Sequence, residues 1–166
     1  MPETKTNRSL AQAFALLSKA AARKKVYSRK AAKDGRPETA HFLRAMSASE
    51  TIQARRLFNS LIGKIDTSDE YLTTLFAEEV QAILDNYSEL IASGEDQRPA
   101  LIQVFSQLRA AETRLRSFYS PANKDITVNK DAEYFVCRFC GYLSTDSPPE
   151  KCPICGAAKD DFQEIN

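Results

Sequence analysis

Four cysteines, all that the 166-residue chain contains, fall into two Cys-x-x-Cys pairs: Cys137 with Cys140, and Cys152 with Cys155. Two thiolates so spaced on a tight turn aim at one ion, and a second such turn completes a tetrahedron. Gly141 follows the first pair, Pro153 lies inside the second and Gly156 follows it. Glycine suits such knuckles because the backbone there takes positive φ and turns its amides toward sulfur. The amides near Phe139, Gly141, Ile154 and Gly156 are the expected partners of the sulfurs. Four thiolates suit iron or zinc, and spacing alone leaves both open. Two structural disulfides are the alternative. Nothing upstream reads as a secretory signal, so the expectation is a metal site in a cytoplasmic protein.

A second set of candidate donors lies on helices. Apolar periodicity predicts helical segments from about Ser9 to Lys33, Pro37 to Ile65, Asp69 to Ser93, and Pro99 to Tyr119. Asp34-Gly35 ends the first, Asp66 to Asp69 supplies turn and cap residues, and Pro37 and Pro99 open the second and fourth. Four amphipathic helices joined mostly by short turns make an antiparallel bundle. Residues 120–133 lack periodicity and read as a linker, and Tyr134-Phe135-Val136 reads as a short strand entering the first knuckle. The expected organisation is therefore a helical bundle over 1–119, a linker over 120–133, and a four-cysteine domain over 134–166. The fold class is mainly α, an antiparallel four-helix bundle with a small C-terminal metal knuckle of short β-strands.

The helical part repeats. Arg36-Pro37 recurs as Arg98-Pro99, and at that offset Glu50-Thr51 matches Glu112-Thr113; Gly35 and Gly94 follow the first and third helices. A duplicated hairpin places Glu50 and Glu112 at equivalent depths. Glu50 and Gln53 interrupt a stripe of Met46 and Leu57, and Glu112 sits within Leu101, Phe105, Leu108, Leu115 and Tyr119. On the third helix either Glu79 or Glu78 faces inward, depending on the phase. A buried carboxylate requires a metal, an arginine or a hydrogen-bond network. Arg109 and Arg114 are the arginines at hand.

Charge is unevenly spread behind a net +1. Residues 1–60 carry 13 Lys/Arg against 4 Asp/Glu, and residues 61–100 carry 2 against 9. Without interleaved exposed aromatics the basic stretch argues against nucleic acid and for complementary faces within or between subunits. No apolar run approaches the roughly 20 residues of a membrane span.

These residues carry a resemblance over nearly the whole chain. Cys-x-x-Cys-Gly-Tyr, Cys-Pro-x-Cys-Gly, Lys159 and Phe162 in the tail resemble rubredoxin knuckles. Together with Ala13-Phe14-Ala15 and the Glu50 region followed by Arg55-Arg56-Leu57-Phe58, they make the chain resemble rubrerythrin. That resemblance implies a ferritin-like bundle holding two irons and a rubredoxin-like iron that feeds it electrons for peroxide reduction. It also implies a homodimer paired head to tail and a redox partner protein.

Carried over residue by residue, the implied di-iron ligands are depleted. Glu50, Glu78 and Glu112 occupy ligand positions, but Leu17, Gln53, Leu75 and Leu115 stand where the family has glutamate or histidine. His41, the one histidine, lies off the Glu50 face. The preferred function is one-electron transfer at a four-cysteine iron held by Cys137, Cys140, Cys152 and Cys155, with Tyr142 and Phe162 covering it. A peroxide-reducing protein with a bundle site rebuilt around Glu50, Glu78 and Glu112, using Glu79 or Asp85, is one alternative. A zinc-stabilised binding or assembly module is the other.

Overall fold

The computed structural model describes residues 5–62, 68–93, 98–123, 125–127 and 129–166. They form two compact units, one up to Ile65 and one from Asp66 onward. Gly94 and Asp66, expected to shape turns, lie outside the described residues.

The first unit is a helical hairpin of α1 (Lys5–Lys33) and α2 (Pro37–Ile62). Helix α1 starts four residues before its expected beginning. Its end is set by Gly35, at φ 71°. The Arg36 amide donates to the Ala31 carbonyl at 2.9 Å and the Gly35 amide to that of Ala32 at 3.2 Å. This pairing satisfies carbonyls that the helix end leaves open, and it needs a left-handed residue at Gly35. Pro37 then opens α2 at the first helical position, where a missing amide hydrogen costs nothing.

Small residues hold the two helices together. Ala21, Ser28, Ala31, Ala40, Ser47 and Ala54 are the buried residues here, and the Ser47 hydroxyl donates to the Ala21 carbonyl at 2.8 Å. Short side chains let the backbones approach, and the buried hydroxyl finds a partner across the pair. At the open end Phe14 and Phe58 pack with ring centroids 5.3 Å apart.

The second unit begins with a helix in three pieces: α3 (Ser68–Thr74), a π-helical turn (Leu75–Glu79), and α4 (Val80–Ala92). The Val80 amide closes the π turn on the Leu75 carbonyl. One extra residue in that turn shifts the helix phase between Leu75 and Val80. Val80 and Leu84 are thereby buried, while Glu78 and Glu79 stay exposed. Helix α5 (Pro99–Arg116) packs against α4, with Ala111 buried and Arg109 Nε donating to the Ser88 hydroxyl at 2.9 Å. Arg116 also binds Gln81.

Residues 120–133, read as a linker from composition, hold part of a short hairpin. Strands β1 (Tyr119–Ser120) and β2 (Asp125–Ile126) pair antiparallel. Tyr119 stacks on Phe76 of the π turn at 4.7 Å, tying this hairpin to the helices. The chain then enters a three-stranded antiparallel sheet in the order β4-β3-β5, from β3 (Tyr134–Cys137), β4 (Leu143–Thr145) and β5 (Phe162–Ile165). Cys137 pairs with Phe162 in its register. Among the described residues no helix is long and apolar enough to cross a membrane.

Candidate metal centre

Each knuckle is one turn with the same hydrogen-bond pattern. The Cys137 amide donates to the Tyr142 carbonyl at 2.9 Å, and the Gly141 amide returns to the Cys137 carbonyl at 3.0 Å. In the second knuckle the Cys152 amide donates to the Ala157 carbonyl at 2.8 Å, and the Gly156 amide to the Cys152 carbonyl at 2.9 Å. Gly141 and Gly156 take φ values of 79° and 76°, the left-handed conformation that makes these turns possible. The Arg138 amide ties the first knuckle to the Asp161 carbonyl, at the end of a 3₁₀ turn (Lys159–Asp161) that leads into β5.

The two turns bring all four sulfurs within 4.8 Å of one another. Cys140 and Cys152 lie 3.5 Å apart, and Cys137 and Cys155 3.6 Å, so close neighbours come from opposite knuckles. A tetrahedral ion with metal–sulfur bonds of about 2.3 Å asks for sulfur separations of about 3.8 Å. The cysteines are free thiols at separations well beyond the roughly 2 Å of a disulfide. The donor set fits a single iron or zinc ion, and both metals accept four thiolates.

Local electrostatics treat the sulfurs unequally. Burial pushes Cys152 upward, but the amides of Cys155 and Ile154 and the neighbouring Cys140 and Cys155 thiols outweigh it, so its pKa is lowered. Burial dominates at Cys140, whose thiol is raised despite the Tyr142 amide. It also dominates at Cys155, raised despite the Ala157 amide. A buried sulfur resists charge unless a cation or enough amides compensate. The Ile154 amide is a sulfur partner, as read from sequence. Gly141 and Gly156, expected as donors too, instead bond the Cys137 and Cys152 carbonyls, and the amides one residue further on, Tyr142 and Ala157, reach Cys140 and Cys155.

Cys137, Cys140 and Cys152 are buried and Cys155 is half-buried. Phe135, Tyr142, Ile154, Ala157 and Phe162 pack around the sulfurs. Tyr142 and Phe162 meet edge to face, centroids 6.5 Å apart. Together they shield three of the four sulfurs from water.

The carboxylates behave differently. Glu50, in the first unit, is held by Lys24, with Nζ 2.7 Å from Oε1. Its Oε2 is buried without a hydrogen-bond partner. Gln53 is exposed and donates to the Ser49 hydroxyl at 3.2 Å. In the second unit Glu78 is exposed, while Glu112 is half-buried beside a cavity of about 310 Å³ that Leu75, Val80, Leu115 and Phe118 help to line. Burial pushes the Glu112 carboxyl above its ordinary value.

Glu79 accepts from the Tyr71 hydroxyl at 3.5 Å, and Asp85 from Gln81 at 2.7 Å. His41 is exposed. Among the described residues the four cysteines form a group able to share an ion, and Glu78 and Glu112, though in one unit, belong to no such group. Among the described residues neither arginine considered from sequence meets a carboxylate: Arg109 bonds Ser88 and Arg114 bonds the Leu143 carbonyl. The sequence reading places Lys24 on the α1 stripe but does not pair it with Glu50. The signal was there, a lysine on the apolar stripe of α1 between Ala21 and Tyr27.

Comparison with known proteins agrees with this geometry. Residues 135–163 match the family model for the rubrerythrin rubredoxin-like domain. Nigerythrin of Nitratidesulfovibrio vulgaris is 31% identical over 85 residues, which are 51% of this chain and 42% of that protein. The chain thus matches less than half the length of that relative. Rubrerythrin-2 of Clostridium acetobutylicum is 26% identical over 159 residues, covering 83% of this chain and 84% of that one. A mixed-valence nigerythrin structure superposes with a TM-score of 0.52 at 23% identity, over 99% of this chain and 91% of that chain, a likeness of fold. Residues 135–163 thus form a domain of the rubrerythrin rubredoxin-like family, and the chain as a whole is similar to nigerythrin and rubrerythrin in sequence and to nigerythrin in fold.

Proposed function

We propose that this protein transfers single electrons through an iron held by Cys137, Cys140, Cys152 and Cys155. The observation that carries the reading is the four-sulfur cage, in which backbone amides reach at least three of the four sulfurs. Iron bound there supplies one-electron redox chemistry between the ferrous and ferric states. The chain's own contribution is a cage whose turns are closed by backbone hydrogen bonds, so sulfur positions change little with charge. Amides donating to sulfur from Tyr142, Ile154, Cys155 and Ala157 disperse thiolate charge and raise the potential. Phe135, Tyr142 and Phe162 exclude water on the inner side.

On the outer side Phe139 is 71% exposed, next to Cys140 in sequence, and Cys155 is the least buried sulfur. This edge is where a redox partner protein would dock. A homodimer, expected from the family resemblance, and a cytoplasmic location, expected from the cysteine pattern, belong to the same proposal. Its test is metal analysis and visible spectroscopy of protein made in iron-replete medium. One iron per chain, with thiolate charge-transfer bands that bleach on reduction and return on oxidation, is the expected result. Zinc alone under those conditions would replace electron transfer by a structural knuckle. Turnover of hydrogen peroxide would restore the peroxidase reading.

A further inference from the structure

The di-iron group that the family implies for the helices demands several carboxylates and imidazoles around two dications. The α1–α2 hairpin does not supply them. Leu17 has no donor atom, Gln53 points its amide to Ser49, and α1 from Lys5 to Lys33 contains neither aspartate nor glutamate. Glu38 and His41 of α2 are exposed. Glu50, the implied ligand position on this hairpin that keeps a carboxylate, is already engaged by Lys24 at 2.7 Å, both side chains less than a quarter exposed at 17% and 23%.

Lys24 lies seven residues beyond Leu17, two helical turns, and so on the same stripe. An ammonium at hydrogen-bond distance from the carboxylate repels a divalent ion that would share it. It also meets the requirement that a partly buried carboxylate have a cation nearby. The remaining oxygen, Oε2, is buried with no partner, so removing the lysine would leave the carboxylate with no hydrogen bond among the described residues.

We infer that Lys24 is a built-in counter-ion that takes the place of a metal at Glu50, so that this hairpin stands without metal. The inference goes beyond the function proposed above and holds whether the cysteine site takes iron or zinc. Lysine here is a fixed charge that needs no metal supply and undergoes no redox change.

The test uses the full chain from iron-replete expression, in four forms: native, Lys24→Met, Glu50→Gln and the double variant. Metal per chain should be the same in the native and Glu50→Gln proteins, whatever metal the cysteines hold. Lys24→Met should lower Tm by several degrees, and adding Glu50→Gln should recover most of that loss, the coupling expected of a directly paired charge. Metal in excess of the cysteine complement that disappears in Glu50→Gln would overturn the inference. So would a Lys24→Met protein with unchanged Tm, or a double variant showing no recovery. Failure of the iron reading shows up instead as a change of metal identity, common to all four proteins.

Discussion

Arg114 of α5 donates from Nε to the Leu143 carbonyl of β4 at 3.3 Å, bonding the last helix to the cysteine-bearing sheet. Its guanidinium lies 4.2 Å from the centre of the Phe118 ring and 5.9 Å from that of Tyr142, which itself packs on the sulfur cluster. One side chain therefore touches the helix, the sheet and the aromatic cover of the metal centre.

Arg114→Ala should destabilise the second unit by about 2 kcal/mol, the sum of a charge-assisted hydrogen bond and one or two cation–π contacts. Arg114→Lys should recover only part of this, because an ammonium lacks the flat face that stacks on Phe118. Thermal unfolding of the metal-loaded protein reads both effects, and faster amide exchange in β4 would locate them.

Removing one sulfur should have a larger effect. Cys152→Ser deletes the thiol whose pKa the neighbouring Cys155 and Ile154 amides help to lower. Metal affinity should fall by orders of magnitude, and the domain from Tyr134 to Ile165 should lose its fixed near-ultraviolet dichroism, since so small a domain draws its folding energy from the ion. Elemental analysis after dialysis against a chelator checks this.

Acid should release the metal. Binding needs thiolates, while burial holds the metal-free Cys140 and Cys155 thiols above the ordinary thiol value. Metal must displace those protons, so affinity falls as pH falls, by up to about tenfold per pH unit for each proton displaced. A chelator titration repeated between neutral and weakly acidic pH would show the slope.

The knuckle glycines can be tested without steric ambiguity. A Cβ built on Gly156 meets nothing within 4 Å, yet its φ is 76°. Gly156→Ala should cost about 1 kcal/mol from backbone strain alone, and Gly156→Asn less, because asparagine tolerates the left-handed region. Metal-loaded unfolding curves of the two variants should separate in that order.

Glu112 should give stability an acid-favouring component. Burial raises its folded pKa above the ordinary carboxylate value. A carboxyl raised in the folded state contributes stability that is fully present below its unfolded value and lost as pH rises through its folded value. Glu112→Gln removes this loss, so it should raise Tm by a few degrees at neutral pH and much less near pH 4. Paired melting curves at the two pH values decide it.

Much of this was legible because it is local. The spacing of Cys137, Cys140, Cys152 and Cys155, with Gly141 and Gly156 after each pair, specifies two turns whose geometry depends only on residues a few positions apart. The end of α1 at Gly35 and the opening of α2 at Pro37 are equally short-range, and their hydrogen bonds fall where turn chemistry puts them. The glutamates were harder. Periodicity marks Glu50 and Glu112 as interrupting apolar stripes, but a stripe shows which side of a helix is apolar and not which atom meets the charge.

The sequence by itself determined the metal knuckles, the helical elements and the turn at Gly35, because spacing and backbone preference act within one turn of chain. Tertiary structure alone decided the rest. A single π turn at Leu75–Glu79 sets the phase that leaves Glu78 outside, a choice made by burying Val80 and Leu84 and invisible to a fixed helical period. The sulfur donors moved to Tyr142 and Ala157 because the glycine amides were consumed in closing the turns. Lys24 found Glu50, and Arg114 found Leu143, only when packing brought together residues far apart in the chain. Such pairings depend on the position of whole elements, which no local pattern encodes.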